Sequence, residues 1–416
     1  MDILEFIKNS TDAWHTADTI KGVLDKHGFC ELSESEKWNI EKGGKYYVMR
    51  NMSSIIAFKI SESFKSFMIT AAHGDSPCFK IKPSVKTDDL NYIKLDVESY
   101  GGQILSTWFD RPLSVSGRVI VDTENGLETR LVRLENAAVI PSVAPHLVRD
   151  NKELSILNMT PMYALSESKR NLLTDIAENA DVKGFDLMVY NNQDGIIWGD
   201  DFISAPRLDD LQCVYGILNG FLEGENKETV QVMCVFDNEE VGSGTKQGAK
   251  SDFLSSTLIR ISEGLGISYE EVSRMLASSF MVSADNAHAI HPNRAEMSDK
   301  NNYPKLNNGI VIKYNASQKY TTDAVSEAVF KKICEMAEVP YQAYANRSDI
   351  AGGSTLGNLA DEKTSINTVD IGLAQLAMHS AFETAGNKDT QYLIKAIKKF
   401  YETKIEIENG NISFKD

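Results

Sequence analysis

The segment VQVMCVFDNEEVGSG, residues 230–244, runs a mostly apolar stretch straight into Asp237, Asn238, Glu239 and Glu240 and then past two glycines. Adjacent carboxylates at the end of a buried strand repel each other and lose hydration together, which opposes ionisation unless a positive group lies beside them. Standing alone, such a pair is accounted for by a solvated turn. Four other segments change that reading. SFMITAAHGD ends in His73 and Asp75, PRLDDLQ carries Asp209 and Asp210 ahead of a helix-like run, SSFMVSAD ends in Asp285, and INTVDIGLAQLAMHS leads to His379. Two histidines and several carboxylates without cysteine suit a pair of divalent cations bridged by an aspartate, with the ions about 3.5–4 Å apart. Cations there provide the missing positive charge. One glutamate then binds metal while its neighbour, facing another way, accepts a proton from the attacking water. Asp75, two residues after His73, fits the carboxylate that takes the second imidazole N–H and fixes the ring.

For these residues to meet, the elements carrying them must end on one side. Short apolar runs (KYYVMR, SIIAFKI, SFMITAA, VQVMCVF, SSFMVSA, GIVIKY, INTVDI) alternate with helix-like segments such as SEAVFKKICEMAE and TQYLIKAIKKFYE. That alternation predicts an α/β sheet layered by helices, whose ligand sites lie beyond the carboxyl ends of the strands. Residues 12–27 put Trp14, Ala17, Ile20, Val23, Leu24 and His27 on one face of an opening helix that ends near Gly28. In the middle of the chain the texture becomes short alternating runs broken by Gly, Asn and Pro, which predicts a mostly β module. The division expected is a catalytic domain in two parts, 1–92 and 203–416, interrupted by an inserted β domain at 93–202.

The chain has 416 residues, 42% of them hydrophobic, and a net charge of −16. That charge argues against nucleic acid or an anionic membrane as a partner, since phosphate would be repelled over most of the surface. No apolar run approaches the roughly 18 residues of a membrane span, and MDILEFIKNSTDAW lacks the basic and apolar regions of a signal peptide. The five cysteines are scattered and form no CxxC pair, so a reducing cytoplasm is expected rather than a disulfide framework.

Together these segments make the sequence similar to the aspartyl aminopeptidase family of dinuclear zinc aminopeptidases. The similarity covers nearly the whole chain through HGDSPCFKIKP, APHLVRD, RLDDL, DNEEVGS, SADNAHAIHPN, GIVIKYNASQKY, GGSTLG and LAMHS. The resemblance implies that His73 and Asp285 bind one metal, Glu240 and His379 the other, that Asp209 bridges both, and that Glu239 is the general base. It implies a cis peptide after Asp209, and an α/β zinc-peptidase fold with an inserted β dimerisation domain. It also implies assembly of dimers into a tetrahedral dodecamer, with His146 of APHLVRD reaching a partner's active site to help bind substrate. Asp285, His288 and His291 form an Asp-x-x-His-x-x-His run, of which the family pattern uses only the aspartate as ligand. Lys313 of GIVIKY is the candidate to stabilise an oxyanion or to pair with an acidic substrate side chain.

The reaction expected is hydrolysis of the N-terminal residue from peptides, either acidic or neutral, with two divalent ions per subunit. Zinc is expected, and cobalt or manganese suit the same donors. A dinuclear carboxypeptidase or deacylase would share the ligand set, and a non-catalytic dodecameric scaffold would share the shell.

Overall fold

The apolar runs become the strands of one nine-stranded sheet. In the computed structural model, which describes residues 1–147, 154–226, 228–408 and 411–415, its order is Cys30–Leu32, Lys45–Arg50, Ser54–Lys59, Val230–Phe236, Phe67–His73, Phe280–Ala284, Asn367–Gly372, Ile310–Tyr314 and Tyr341–Ala345. Every residue of Val230–Phe236, Phe67–His73 and Phe280–Ala284 is buried, which explains why these sequences are continuous apolar runs instead of alternating ones. These three strands and Asn367–Gly372 run parallel to one another. Their carboxyl ends therefore open on one edge. Phe236 is in register with His73, and Ala284 with Ile371, so the residues that follow emerge side by side.

Successive side chains of each strand enter opposite layers. Met68, Met233 and Val235 pack in the core that includes the helices Leu208–Glu223 and Asp389–Glu402. Ile69, Val232 and Cys234 pack on the other side with Phe253, Leu258 and Ile261. The helices Leu208–Glu223 and Asp389–Glu402 touch so closely that a Cβ on Gly216 or Gly220 would run into Leu393 or Ile397. The opening helix spans Ala13–Lys26, with Asp12 accepting the His15 N–H at 2.9 Å as its cap. Trp14, Ala17, Ile20 and Leu24 are buried as expected, while His27 is an exposed terminal residue. A further helix at Ile3–Asn9 escapes the sequence reading because seven residues are too few to display a period.

A second sheet of six strands, Gly126–Ala138, Leu113–Thr123, Val182–Asn191, Cys78–Asp89, Tyr92–Tyr100 and Met162–Leu165, is antiparallel throughout. Its own core contains Phe79, Trp108, Val115 and Leu187, and Trp14 joins it from the opening helix. The sequence places the β module at 93–202, whereas the strands of this sheet run from Cys78 to Asn191. Cys78–Asp89 follows HGDSP without a break in composition, so only its pairing with Tyr92–Tyr100 reveals where it belongs. Phe202–Ala205 pairs instead with Glu383–Gly386 in a five-stranded sheet that also holds Ala374–Leu376 and Ala287–His288. Among the described residues no helix is long and apolar enough to cross a membrane.

Phe221 is fully buried on the helix that begins beside Asp209, with ring centroids 5.7 Å from Phe29 and 5.5 Å from Tyr401. Truncating it leaves a cavity where three elements meet, so Phe221→Ala is expected to cost about 3–5 kcal/mol in chemical denaturation. A loss under about 1 kcal/mol would mean that the site collapses around the gap and that this helix layer is not tightly packed.

Candidate metal centre

Each parallel strand end delivers one part of the site. Phe67–His73 ends on His73, Phe280–Ala284 is followed by Asp285, and Val230–Phe236 runs into a turn in which Asn238 has φ +63° and Glu239 and Glu240 follow. His379, beyond Asn367–Gly372 and Ala374–Leu376, has φ +67°. Asp209 and Asp210 lie where a loop enters the helix Leu208–Glu223, with non-helical dihedrals, and the peptide between them is cis, as the resemblance implies.

Among the described residues three groupings could hold a cation, with candidate ligand atoms all within 4.8 Å of one another: His73, Asp209, Asp210 and Asp285; His73, Glu239 and Glu240; and Asp209, Glu240 and His379. Asp209 belongs to the first and the last. Its Oδ1 is 3.4 Å from His73 Nε2, and its Oδ2 is 3.7 Å from His379 Nε2, which itself lies 3.5 Å from Glu240 Oε2. Asp209 Oδ1, Asp210 Oδ1 and Glu240 Oε1 are buried and accept no hydrogen bond from the described residues. Buried carboxylate oxygens without donors are costly unless a cation faces them, so the donor set fits divalent metal. The acidity pattern agrees. Burial raises Glu240 and Asp210 well above the usual carboxylate range, with Asp209 adding repulsion to both, and burial with Asp285 and Asp75 nearby pushes Glu239 up to about 8. Asp209 is the exception: burial would raise it too, but His73 and His379 hold it low.

Asp75 does more than the sequence suggests, and by another route. His73 Nδ1 meets the backbone carbonyl of Asp75 at 3.1 Å, while the carboxylate stands 3.5 Å away. That carboxylate accepts the N–H of Glu239 at 3.1 Å and of Glu240 at 3.2 Å, and the hydroxyl of Tyr100 at 2.7 Å. Glu383 is missing from the sequence reading. It accepts the N–H of His379 at 2.7 Å and of Asp209 at 3.0 Å, joining two candidate ligands through one buried carboxylate. The four-residue spacing in HSAFE was the available signal for it. Tyr100, at the end of an alternating strand before two glycines, had none.

Lys313 lies among these groups, not at a solvated strand end. It is buried, its Nζ is 3.4 Å from Asp285 Oδ1, and it donates to the Asn286 carbonyl at 2.9 Å. His288 and His291 belong to no ligand grouping among the described residues. They line a cavity of about 330 Å³ with Tyr344, Asn346 and Arg347, which Ala377 borders on the His379 side. His146 is not brought into the cluster of its own chain. It is exposed on the segment after Gly126–Ala138, and the remainder of APHLVRD, 148–150, lies outside the described residues.

Residues 6–401 match the family model described as aminopeptidase I zinc metalloprotease (M18). The chain is 46% identical over 422 residues to a probable M18 family aminopeptidase 2 of Clostridium novyi, an alignment covering 96% of this chain and 98% of the relative. Among solved structures, the cryo-EM structure of the Ape4 and Nbr1 complex superposes with a TM-score of 0.93 at 34% identity, over 96% of this chain and 85% of that one. The S. cerevesiae mApe1 dodecamer superposes with a TM-score of 0.84 at 27% identity, over 96% of this chain and 95% of that one.

The raised carboxylates set the sign of a pH effect on the metal-free protein. Glu239 moves from an ordinary 4.5 to about 8, so between those values the folded chain holds a proton that the unfolded chain has released. His73 is raised too, its acidic neighbours Asp209 and Asp75 outweighing the effect of burial. Stability then falls as pH rises through that window. Chelator-treated protein is expected to melt at a higher temperature at pH 6 than at pH 8, and added zinc to raise the melting temperature more at pH 8, where it need not displace protons. A metal-free melting temperature that is flat or rises from pH 6 to 8 would contradict this account.

Proposed function

Because the chain belongs to the aminopeptidase I zinc metalloprotease (M18) family and is a metal-dependent aminopeptidase, we propose that it removes N-terminal residues from peptides at a two-ion site in which Asp209 is the shared ligand. The observation that carries this reading is the membership of Asp209 in two groupings, one with His73 and Asp285 and one with Glu240 and His379. Two divalent cations, zinc by preference and cobalt or manganese with the same donors, would acidify the attacking water and polarise the scissile carbonyl. The other contributions come from the chain. Glu239 takes the proton of the attacking water and passes it to the leaving amine, which returns the carboxylate to its starting state. Asp75 orients His73 through its carbonyl and holds the Glu239–Glu240 turn through its carboxylate.

Lys313 favours the ionised form of Asp285 against the larger, opposite effect of burial, and is the charge that would meet an acidic side chain if Asp or Glu is the residue removed. The six-stranded sheet is the dimerisation module in this reading. His146, exposed beside Leu147, which is 80% exposed, is presented to the site of a second copy to help bind substrate there. A dodecamer built of such dimers is supported by the mApe1 dodecamer, which has the same fold. A cytoplasmic setting fits five cysteines that are all free.

Release of p-nitroaniline from Asp, Glu, Leu and Ala anilides by zinc-loaded protein, with N-acetylated controls, tests the activity and ranks the residues removed. Release of p-nitroaniline confined to free-amine substrates is expected, and release of acetate from the acetylated controls without p-nitroaniline would favour a deacylase. Glu239→Gln should retain zinc and lose about 10²–10⁴-fold in turnover, whereas Asp209→Ala should lose both ions. Full turnover by Glu239→Gln would remove Glu239 from the role of base.

A further inference from the structure

One turn of the six-stranded sheet touches the candidate centre at four points. Tyr92–Tyr100 ends there, and the chain continues through Gly101 and Gly102 to Ile104. The Tyr100 hydroxyl donates to Asp75 Oδ2 at 2.7 Å and accepts from Asn238 Nδ2 at 2.8 Å. Gly101, at φ +77°, lies so close to Glu240 that a Cβ would come within 3.2 Å of both its Cβ and Oε2. The Gly102 carbonyl meets His379 Nδ1 at 3.1 Å, and the Ile104 N–H donates to the His379 carbonyl at 2.9 Å. Asp75, Glu239 and Glu240 lie just past the ends of strands of the nine-stranded sheet, and His379 lies past a strand of the five-stranded one, so these contacts are where the inserted sheet grips the catalytic one.

We propose that Tyr100 is a positioning residue for the reaction. Its hydroxyl fixes the Asp75 carboxylate, which through the N–H groups of Glu239 and Glu240 sets where the Glu239 carboxylate points. The same turn orients the His379 imidazole through the Gly102 carbonyl, so the way the six-stranded sheet sits on the nine-stranded sheet decides whether the base and one ligand are aligned together. This rests on the reading of Glu239 as base. It differs from simple structural support in what it affects: a carboxylate held by two amides alone can pivot, and the third donor, from Tyr100, removes that freedom. Groups that orient a site without touching the reacting atoms are expected to act on the chemical step and to leave the fold intact.

The test is Tyr100→Phe in the full-length, zinc-loaded protein, compared with Glu239→Gln and the double variant. The expected result is a fall in kcat of about 10–100-fold. KM should stay within about two-fold, with zinc per subunit, zinc retention against a chelator and melting temperature all unchanged. The double variant should be no slower than Glu239→Gln alone, because the two residues act along one route. Wild-type kcat for Tyr100→Phe beside an inactive Glu239→Gln would overturn the proposal and leave the base assignment standing. A loss of kcat matched by a loss of zinc or of melting temperature would also overturn it, as would losses that multiply in the double variant. Full turnover by Glu239→Gln would bring down the base assignment, and the route through Asp75 with it.

Discussion

Crowding of carboxylates at the ends of buried parallel strands is the constraint around which this protein is organised. Asp75, Asp209, Asp210 and Asp285 are nearly inaccessible to solvent, and burial raises Asp210, Glu239, Glu240 and Asp285 above their ordinary range. Such a cluster is stable only if positive charge balances it. His73, His379 and Lys313 provide part of that balance, and the oxygens of Asp209, Asp210 and Glu240 that accept no hydrogen bond mark where the rest must come from. In this protein the fold and the need for metal are one physical problem.

The two outer layers and the second sheet follow from that problem. Strands buried on both faces keep water away from the cluster, and they can be buried only because helices cover each side. The open edge, where the strands end, is the side on which the six-stranded sheet rests. Its Tyr100–Ile104 turn supplies a hydroxyl, a close-packed glycine and a carbonyl to residues that no single strand could hold in place. Glu383 makes the corresponding link from the five-stranded sheet, tying the backbone of Asp209 to that of His379. The centre is therefore built by three sheets, although the residues proposed as ligands are carried mainly by one.

Much of this was legible in the chain, because apolar run length and the residue at the end of each run are local properties. VQVMCVF, SFMITAA and SSFMVSA are apolar along their length because both faces are covered, and His73, Glu239, Glu240 and Asp285 stand at or just past their ends for the same reason. The resemblance to the aspartyl aminopeptidases rests on those same segments, and the M18 family match bears it out. Where sequence pattern and structure differ, the missing information is a pairing. Cys78–Asp89 gives no local sign that it joins Tyr92–Tyr100 instead of the strand just before it.

The α/β class, the donor types and the order in which strand ends present them are all local properties, since each depends on residues close together in the chain. Folding is what places Asp209 between His73 and His379, gives the Asp75 carboxylate to two amides and Tyr100 while its carbonyl serves the imidazole, and buries Lys313 against Asp285. Those are distances between residues tens to hundreds of positions apart. They are set by strand register and by the docking of one sheet on another, which no local pattern of side chains encodes.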